Sequence, residues 1–513
     1  MATLREGRSP TLASEPSAAT CAAVSGVHFT NHLLWSMIAQ NLEHGRALNA
    51  ALCSGERVVS YERLAGAILR GAGEIDGRLA AGSRLLIAAR DQLHVALWFC
   101  AALRSRSIPL LADPTTAERL TALAREWGVR VAVVQPSVEI AALATLRASE
   151  AENWLDASPA RSFEPAPVAA DAPAFWTFTS GTTGEPKAVV HAHRGPLAAY
   201  HAFGRGIVQL GPRDVTVSTA GLPFVYALGN SLLFPLMAGG AAVLPRDLLL
   251  PTVLGELARH GATVLAAGPW SLSGIVRLAR RARWVEAIRR LRCVLSAGEP
   301  LPPAVFLEWQ RRFDKEVVDN LGCTEMFNSF VSNAPGRASP GSLGRPVPGF
   351  DLRVGSKPVE PGARGALSVR GESRAVASGR AGALARPEGE WCETGDEVEV
   401  DRDGNLTFLG RRDDRFKVKG RFLYPLEVER VLSEVRGVAE CLVTAERDAN
   451  GVTMVVAKIV TDGSASSHDV VHRVMRHARS RIESYAIPAR VDVVAALPRS
   501  ARGKLQRASS VQV

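Results

Sequence analysis

The chain has 513 residues, 47% hydrophobic and 22% charged, with 61 Lys and Arg against 51 Asp and Glu for a net charge of +10. That length exceeds one ordinary core and predicts two or more domains of a soluble globular protein. No apolar run reaches membrane-spanning length, and basic clusters interleaved with aromatics are missing, so neither a membrane nor a nucleic acid is an expected partner.

The first residues, 1–27, are rich in Ala, Ser, Thr and Pro and lack a solid apolar stretch after a basic start. They read as a disordered leader rather than a signal peptide. From about 30, strand-like runs alternate with helical stretches. SRLLIAA (83–89), VRVAVVQ (129–135), FWTFTS (175–180) and AAVLPRD (241–247) are the strands, and ERLAGAILRGAGEI (62–75) is one of the helices between them. The alternation continues through ATVLAAGP (262–269), an amphipathic Arg-rich stretch at 276–292, RCVLSAGE (292–299) and a helix opened by proline at 302–313. Such alternation predicts an α/β fold with doubly wound parallel sheets. After 335, Gly and Pro become dense and short runs such as ALSVRG (366–371) and NLTFLG (405–410) predict a small β-rich, barrel-like subdomain. RRDDRFKVKGRF, starting at 411, suits a linker. An α+β unit follows, with a hairpin over 439–460 turning at Asn450-Gly451. The expected division is therefore an N-terminal domain over 28–410 and a C-terminal domain over 411–513.

Seven cysteines lie at irregular spacing (Cys21, Cys53, Cys100, Cys293, Cys323, Cys392, Cys441) with no CxxC, which predicts a reduced, cytoplasmic, metal-free set. Only seven of the 61 basic residues are lysine. Where Arg is so freely used, a retained Lys marks a position where a compact point charge is needed. Four of the seven, Lys187, Lys417, Lys419 and Lys504, fall in the motifs that follow.

The segment FTSGTTGEPKAVVHAH (178–193) places two glycines, a run of hydroxyls and one lysine after an apolar strand. Glycines let backbone N–H groups converge on phosphate oxygens. The segment is not the common nucleoside-triphosphate loop G-x-x-x-x-G-K-S/T. Its glycines are too close, Pro186 precedes Lys187, and no hydroxyl follows the lysine to hold magnesium. It is a different phosphate loop. His191 and His193 form an HxH pair without an evident third ligand, so packing beside the loop is the expected role.

With T-S-G-T-T-G-x-P-K on the page, the chain resembles the adenylate-forming enzymes: acyl- and aryl-CoA ligases, adenylation domains of peptide synthetases, and luciferases. The resemblance runs from about 30 to the end. It includes DNLGCTEM (319–326), ETGD (393–396), the GRRDDRFKVKG linker (410–420), YPLEVERVL (424–432) and LPRSARGKLQR (497–507). It implies two half-reactions at one site. A carboxylate first attacks the α-phosphate of ATP and expels pyrophosphate. A thiol, coenzyme A or a carrier-protein phosphopantetheine, then displaces AMP. Gathering negative charge calls for cations and N–H donors.

Carried over by position, Thr179, Ser180, Gly181, Thr182, Thr183, Gly184 and Lys187 are expected on the β- and γ-phosphates. Thr324 is expected on the α-phosphate and Glu325 on Mg²⁺. Gly298, Glu299 and Leu321 are expected around the nucleotide, Asp396 on the ribose hydroxyls, and Arg411 on ribose or phosphate. Leu321 stands where many relatives have an adenine-stacking tyrosine. Lys504 is expected to reach in from the C-terminal domain and bridge the carboxylate and the α-phosphate. Asp413 matches the hinge on which that domain turns, and Lys419 and Gly420 match positions turned toward the pantetheine side.

The acid pocket is expected at Tyr226, Ala227, Asn230, Phe234, Ala297, Gly322 and Asn328. Tyr226, Asn230 and Phe234 follow the benzoate-CoA ligase branch, and no aspartate is present there to pair an amino acid's ammonium. Asn328 replaces a histidine of that branch and offers both a donor and an acceptor. The implied substrate is a benzoate carrying a small polar group, such as 2-aminobenzoate or a hydroxybenzoate, with plain benzoate open. Tyr226, Phe234 and Trp270 are expected to narrow the pocket against long acyl chains, with plain core the other reading of Trp270. Loading of a carrier protein is the alternative acceptor reading and a non-catalytic relative the third. A monomer or homodimer is expected.

Overall fold

The computed structural model describes residues 32–140, 143–165, 167–180, 186–380, 382–448, 451–499 and 505–507. The expected leader, Gly181, Thr182, Thr183, Gly184, the turn residue Asn450 and Lys504 lie outside them.

The strand–helix alternation builds two large sheets. In one of eight strands, Pro173–Ser180, Ile108–Leu111, Arg84–Ala88, Val131–Val134 and Ala144–Arg147 run parallel side by side, and Pro186–Ala192 pairs antiparallel with Pro173–Ser180. In the other, of nine strands, the parallel set is Val318–Gly322, Cys293–Ser296, Val264–Ala267, Val215–Ser218, Ala241–Val243 and Ala50–Ser54. This is the doubly wound α/β architecture expected. The helix Gln92–Arg104 is apolar all round and nearly all of it is buried, as such a pattern requires. Asp91 caps it by accepting from the Leu93 N–H at 2.9 Å. Its Trp98 and Phe99 join Leu64, Ile68, Phe175 and Phe327 in the principal core.

In parallel sheets, ligands gather at the carboxyl ends of the strands. The phosphate loop follows Pro173–Ser180, Ala297–Glu299 follows Cys293–Ser296, and Thr324–Glu325 follows Val318–Gly322. The site motifs therefore converge on one edge.

A third, five-stranded antiparallel sheet runs in the order Lys357–Pro358, Asp351–Val354, Arg364–Arg370, Cys392–Val400, Leu406–Arg411. Its pairing order is linear among the described residues, so it is an open sheet rather than a closed barrel. The region after 335 also does not stay together. The hairpin Ala377–Arg380/Ala383–Ala385 leaves this sheet and extends the eight-stranded one, Ala377 pairing with Val190. The Arg-rich stretch at 276–292 is two helices, Pro269–Leu278 and Ala282–Arg290, parted where Ala279 is buried and leaves helical geometry at ψ 65°.

The smaller C-terminal domain has its own core, with Phe416, Val428, Leu432, Val443, Val455 and Val474 among its members. The expected hairpin forms between Val438–Arg447 and Thr453–Thr461. The segment just after 411 meets the larger domain through Glu397, buried on Cys392–Val400. Its carboxylate accepts from the Tyr424 hydroxyl and from Arg415 at 3.1 Å, with Arg412 at 3.6 Å. Among the described residues, no helix is long and apolar enough to cross a membrane.

Candidate active site

Lys187 stands near the start of Pro186–Ala192 and pairs across the ladder with Thr179; Ser180 pairs with Pro186. Its Nζ lies 2.7 Å from Glu325 Oε1, and the two side chains are 30% and 28% exposed. They neutralise each other yet stay open to a ligand. Thr324 and Glu325 form a short 3-10 turn, Thr324–Met326. Two donors from a distant segment fix it: the Ala375 N–H donates to the Glu325 carbonyl at 2.7 Å, and Ser373 Oγ donates to the Met326 carbonyl at 2.8 Å. The next residue, Phe327, sits at φ +65°, a region costly for any side chain larger than hydrogen. Its buried ring meets Phe175, His191 and Phe234 with centroids 5.8, 5.4 and 6.1 Å away. That packing holds the strained backbone immediately after the catalytic candidates.

Asp396 lies opposite Arg411 in the five-stranded sheet and accepts its Nη1 at 2.9 Å. Asp396 is 4% exposed. Burial raises its pKa, the Arg411 charge opposes that, and the Glu325 charge adds to it. The last effect places Asp396 in the same electrostatic cluster as Lys187 and Glu325. Gly395 is at φ +76°, and a Cβ there would come within 2.8 Å of Arg411 Nη2. The glycine of the T-G-D motif thus makes room for the arginine.

Tyr226, Ala227, Asn230 and Phe234 lie on one helical run, 225–238. Asn328 is 2% exposed; its Oδ1 accepts from the Ser329 N–H at 2.9 Å, while its Nδ2 has no acceptor. A Cβ on Gly229 would stand 2.4 Å from that Nδ2, so the amide presses on the helical run. Asn230 Oδ1 is also buried with no partner among the described residues, and the buried Tyr226 Oη has Asn320 beside it. Buried polar atoms are paired as a rule, so the unpaired amide atoms of Asn230 and Asn328 mark a place for a polar ligand. Ala227 and Phe234 are fully buried, Phe234 in the principal core. Ala297 is buried, Gly298 is exposed at φ +93°, and Glu299, Leu321 and Gly322 are half-buried.

Trp270 is 44% exposed, which corrects the plain-core reading. Lys419 and Gly420, at φ +48° and +80°, form the turn between Phe416–Val418 and Arg421–Leu423. Asp413 is exposed in the short turn Arg412–Asp414. His191 and His193 are buried: His191 stacks on Phe175 at 5.0 Å, and His193 Nδ1 accepts from the Leu33 N–H at 3.4 Å. Burial lowers both pKa values to about 3. Ser373, Ala375 and Phe327 belong to no motif, and nothing in the sequence singled them out.

A lysine–glutamate pair at the carboxyl ends of the doubly wound sheets and a buried aspartate–arginine pair on the antiparallel sheet are the arrangement the adenylate-forming motifs predict. The chain belongs to the AMP-binding enzyme family: the family model matches 40–379, and that of the AMP-binding enzyme C-terminal domain matches 427–504. It is 30% identical to a benzoate–CoA ligase of Thauera aromatica over 92% of this chain and 94% of that enzyme. It is 32% identical to an anthranilate–CoA ligase of Pseudomonas aeruginosa over 86% of this chain and 89% of that enzyme. A crystal structure of an anthranilate CoA ligase in complex with anthranoyl-AMP matches with a TM-score of 0.81 at 25% identity, covering 91% of this chain and 95% of that one.

Proposed function

We propose that this enzyme is an AMP-forming aryl-CoA ligase. It activates an aromatic carboxylic acid with ATP and passes the acyl group to coenzyme A. The observation that carries the reading is the pair of ion pairs, Lys187–Glu325 and Asp396–Arg411, together with the unpaired buried atoms of Asn230 and Asn328. The two relatives named above, ligases of benzoate and of anthranilate to coenzyme A, support the acceptor and the acid class, while another is named a p-hydroxybenzoic acid–AMP ligase.

In the first half-reaction a carboxylate oxygen bonds to the α-phosphorus as the bond to pyrophosphate breaks. Lys187 and the backbone of 179–184 hold the β- and γ-phosphates, and Thr324 donates to an α-phosphate oxygen. Asp396, oriented by Arg411, accepts from the ribose hydroxyls. Glu325 is the carboxylate for Mg²⁺. Among the described residues no cluster of three His, Cys, Asp or Glu could hold an ion alone. An ion here would take Glu325 oxygen together with phosphate oxygens, which is how Mg²⁺ is usually held. When bound, it neutralises charge on the phosphates. In the second half-reaction the thiol sulfur bonds to the acyl carbon and AMP leaves.

Lys504 serves the first step from the C-terminal domain, residues 411–513, which turns about Asp413 for the second. Lys419 and Gly420 then face the pantetheine. The free thiols of the described residues suit a cytoplasmic enzyme. The acid bears a small hydroxyl or amino group, which the unpaired amide atoms of Asn230 and Asn328 would meet.

The test is pyrophosphate release from ATP across benzoate, amino- and hydroxybenzoates, short fatty acids and amino acids, with and without coenzyme A. Sustained turnover with one aryl acid only when coenzyme A is present is expected. A single stoichiometric burst that coenzyme A leaves unchanged would replace coenzyme A by a carrier protein, and silence across the aryl acids would sink the pocket assignment.

A further inference from the structure

One cavity of the molecule lies away from the carboxyl edge. It lies at the opposite end of the eight-stranded sheet, has a volume of about 890 Å³, and is lined at the starts of the parallel strands by Arg84, Ile108, Arg130 and Pro173. Pro173–Ser180 spans eight residues, so the mouth at Pro173 stands about 23 Å from Ser180 at a strand rise of ~3.3 Å per residue. The hairpin Ala377–Arg380/Ala383–Ala385, which crosses over from the small sheet, contributes a wall.

Five arginines and a single carboxylate, Asp171, line it. Arg194 is neutralised by Asp171 and Glu372. The other four have no such partner among the described residues. Arg84 donates to the Trp127 carbonyl at 2.6 Å and lies over the Trp176 ring, and Arg374 donates to the carbonyls of Gly389 and Glu388. Arg130 and Arg386 are exposed at the rim. Four guanidinium groups around one cavity, with its single carboxylate already taken by Arg194, repel one another, and the arrangement suits an anion of several charges, phosphate above all. The remaining wall is apolar. Leu384 is 39% exposed, and the buried Trp176 carries an indole N–H with no acceptor. That volume is ample for a nucleotide-sized molecule.

We propose that this cavity is a second ligand site, separate from the catalytic edge, for an organic phosphate carrying several negative charges and an apolar or planar group. One wall of it is hydrogen-bonded to the turn that carries Glu325. Arg374, Ala375 and Val376 line it, and the Ala375 N–H holds the Glu325 carbonyl while the Val376 N–H holds Val190 on the Lys187 strand.

Equilibrium dialysis of the full chain with radiolabelled ADP tests this. The parent is compared with Arg130→Glu/Arg386→Glu and with a control, Arg280→Glu/Arg289→Glu, that reverses the same charge elsewhere on the surface. The parent and the control should each bind one ADP more per chain than the cavity variant, or bind it at least ten-fold more tightly. The milder Arg130→Gln/Arg386→Gln pair should lose the same site while keeping the parent's melting temperature. Equal binding by parent and cavity variants overturns the proposal, as does an equal loss in the control, which would make the attraction a general effect of net charge.

Discussion

Asn328 gives the sharpest test of the acid pocket. Its Nδ2 is buried with no acceptor, while its Oδ1 is already taken by Ser329. An unmade hydrogen bond at a buried group costs about 1–3 kcal/mol. A substrate oxygen that accepts from Nδ2 recovers that cost in the complex, and benzoate does not. At ~1.4 kcal/mol per factor of ten, the expected preference for a hydroxybenzoate over benzoate is roughly 5- to 150-fold in kcat/KM. Asn328→Ala removes the donor, so the ratio should fall toward one, chiefly through the hydroxybenzoate. An aromatic amine donates rather than accepts, and its partner is the orphaned Asn230 Oδ1. A preference for 2-aminobenzoate should therefore survive Asn328→Ala and fall in Asn230→Ala. The assay is coupled pyrophosphate release with each acid. If both variants keep the parent's ratios, the pocket is wrongly placed.

Three further outcomes are expected. Lys504→Ala should slow aryl-adenylate formation by about 10²–10³-fold, the range for losing one preorganised donor to developing charge. Thioester formation from supplied aryl-adenylate should persist; equal loss of both steps would refute a role confined to the first. Glu325→Gln should raise the Mg²⁺ concentration for half-maximal rate at least ten-fold, and an unchanged Mg²⁺ dependence would place the ion elsewhere. Stability should fall in acid through His191, whose pKa is lowered from 6.5 to about 3 by burial. Above pH 6.5 the ring is neutral in both states and its contribution is complete. Below that, the unfolded chain binds a proton the folded one refuses, at ~1.4 kcal/mol per pH unit, or about 2 kcal/mol at pH 5. His191→Phe should shrink the loss between pH 7 and pH 5 by that amount in urea titrations, and an unaltered loss would count against the burial argument.

Residues of special backbone or charge were legible where neighbouring positions supply the chemistry. The T-E pair and the T-G-D turn are each a few consecutive residues, and the structure brings the first to Lys187 and the second to Arg411. The helix Pro303–Phe313 was equally plain, because proline opens it and its apolar period is regular. What escaped depends on partners far away in the chain. Ala377–Arg380 and Ala383–Ala385 carry no alternating apolar pattern, and only pairing with Pro186–Ala192 makes them strands of the large sheet. Phe327 reads as an ordinary aromatic, and its left-handed backbone is imposed by packing against Phe175 and Phe234. The arginine cavity draws on positions from 84 to 386 and exists only once the strand starts are side by side.

The Glu397 cluster bears on the domain turn proposed about Asp413. Any swing of the segment beyond Asp413 must pull Tyr424 and Arg415 off a carboxylate that has almost no water around it. Such a contact is all-or-none, since a half-withdrawn arginine leaves the charge unpaired in a poor solvent. It is also shielded from salt in the medium. On the proposed turn about Asp413, an internal catch rather than loose diffusion of a tethered domain would set the interval between the half-reactions, and its tempo should respond to temperature far more than to ionic strength.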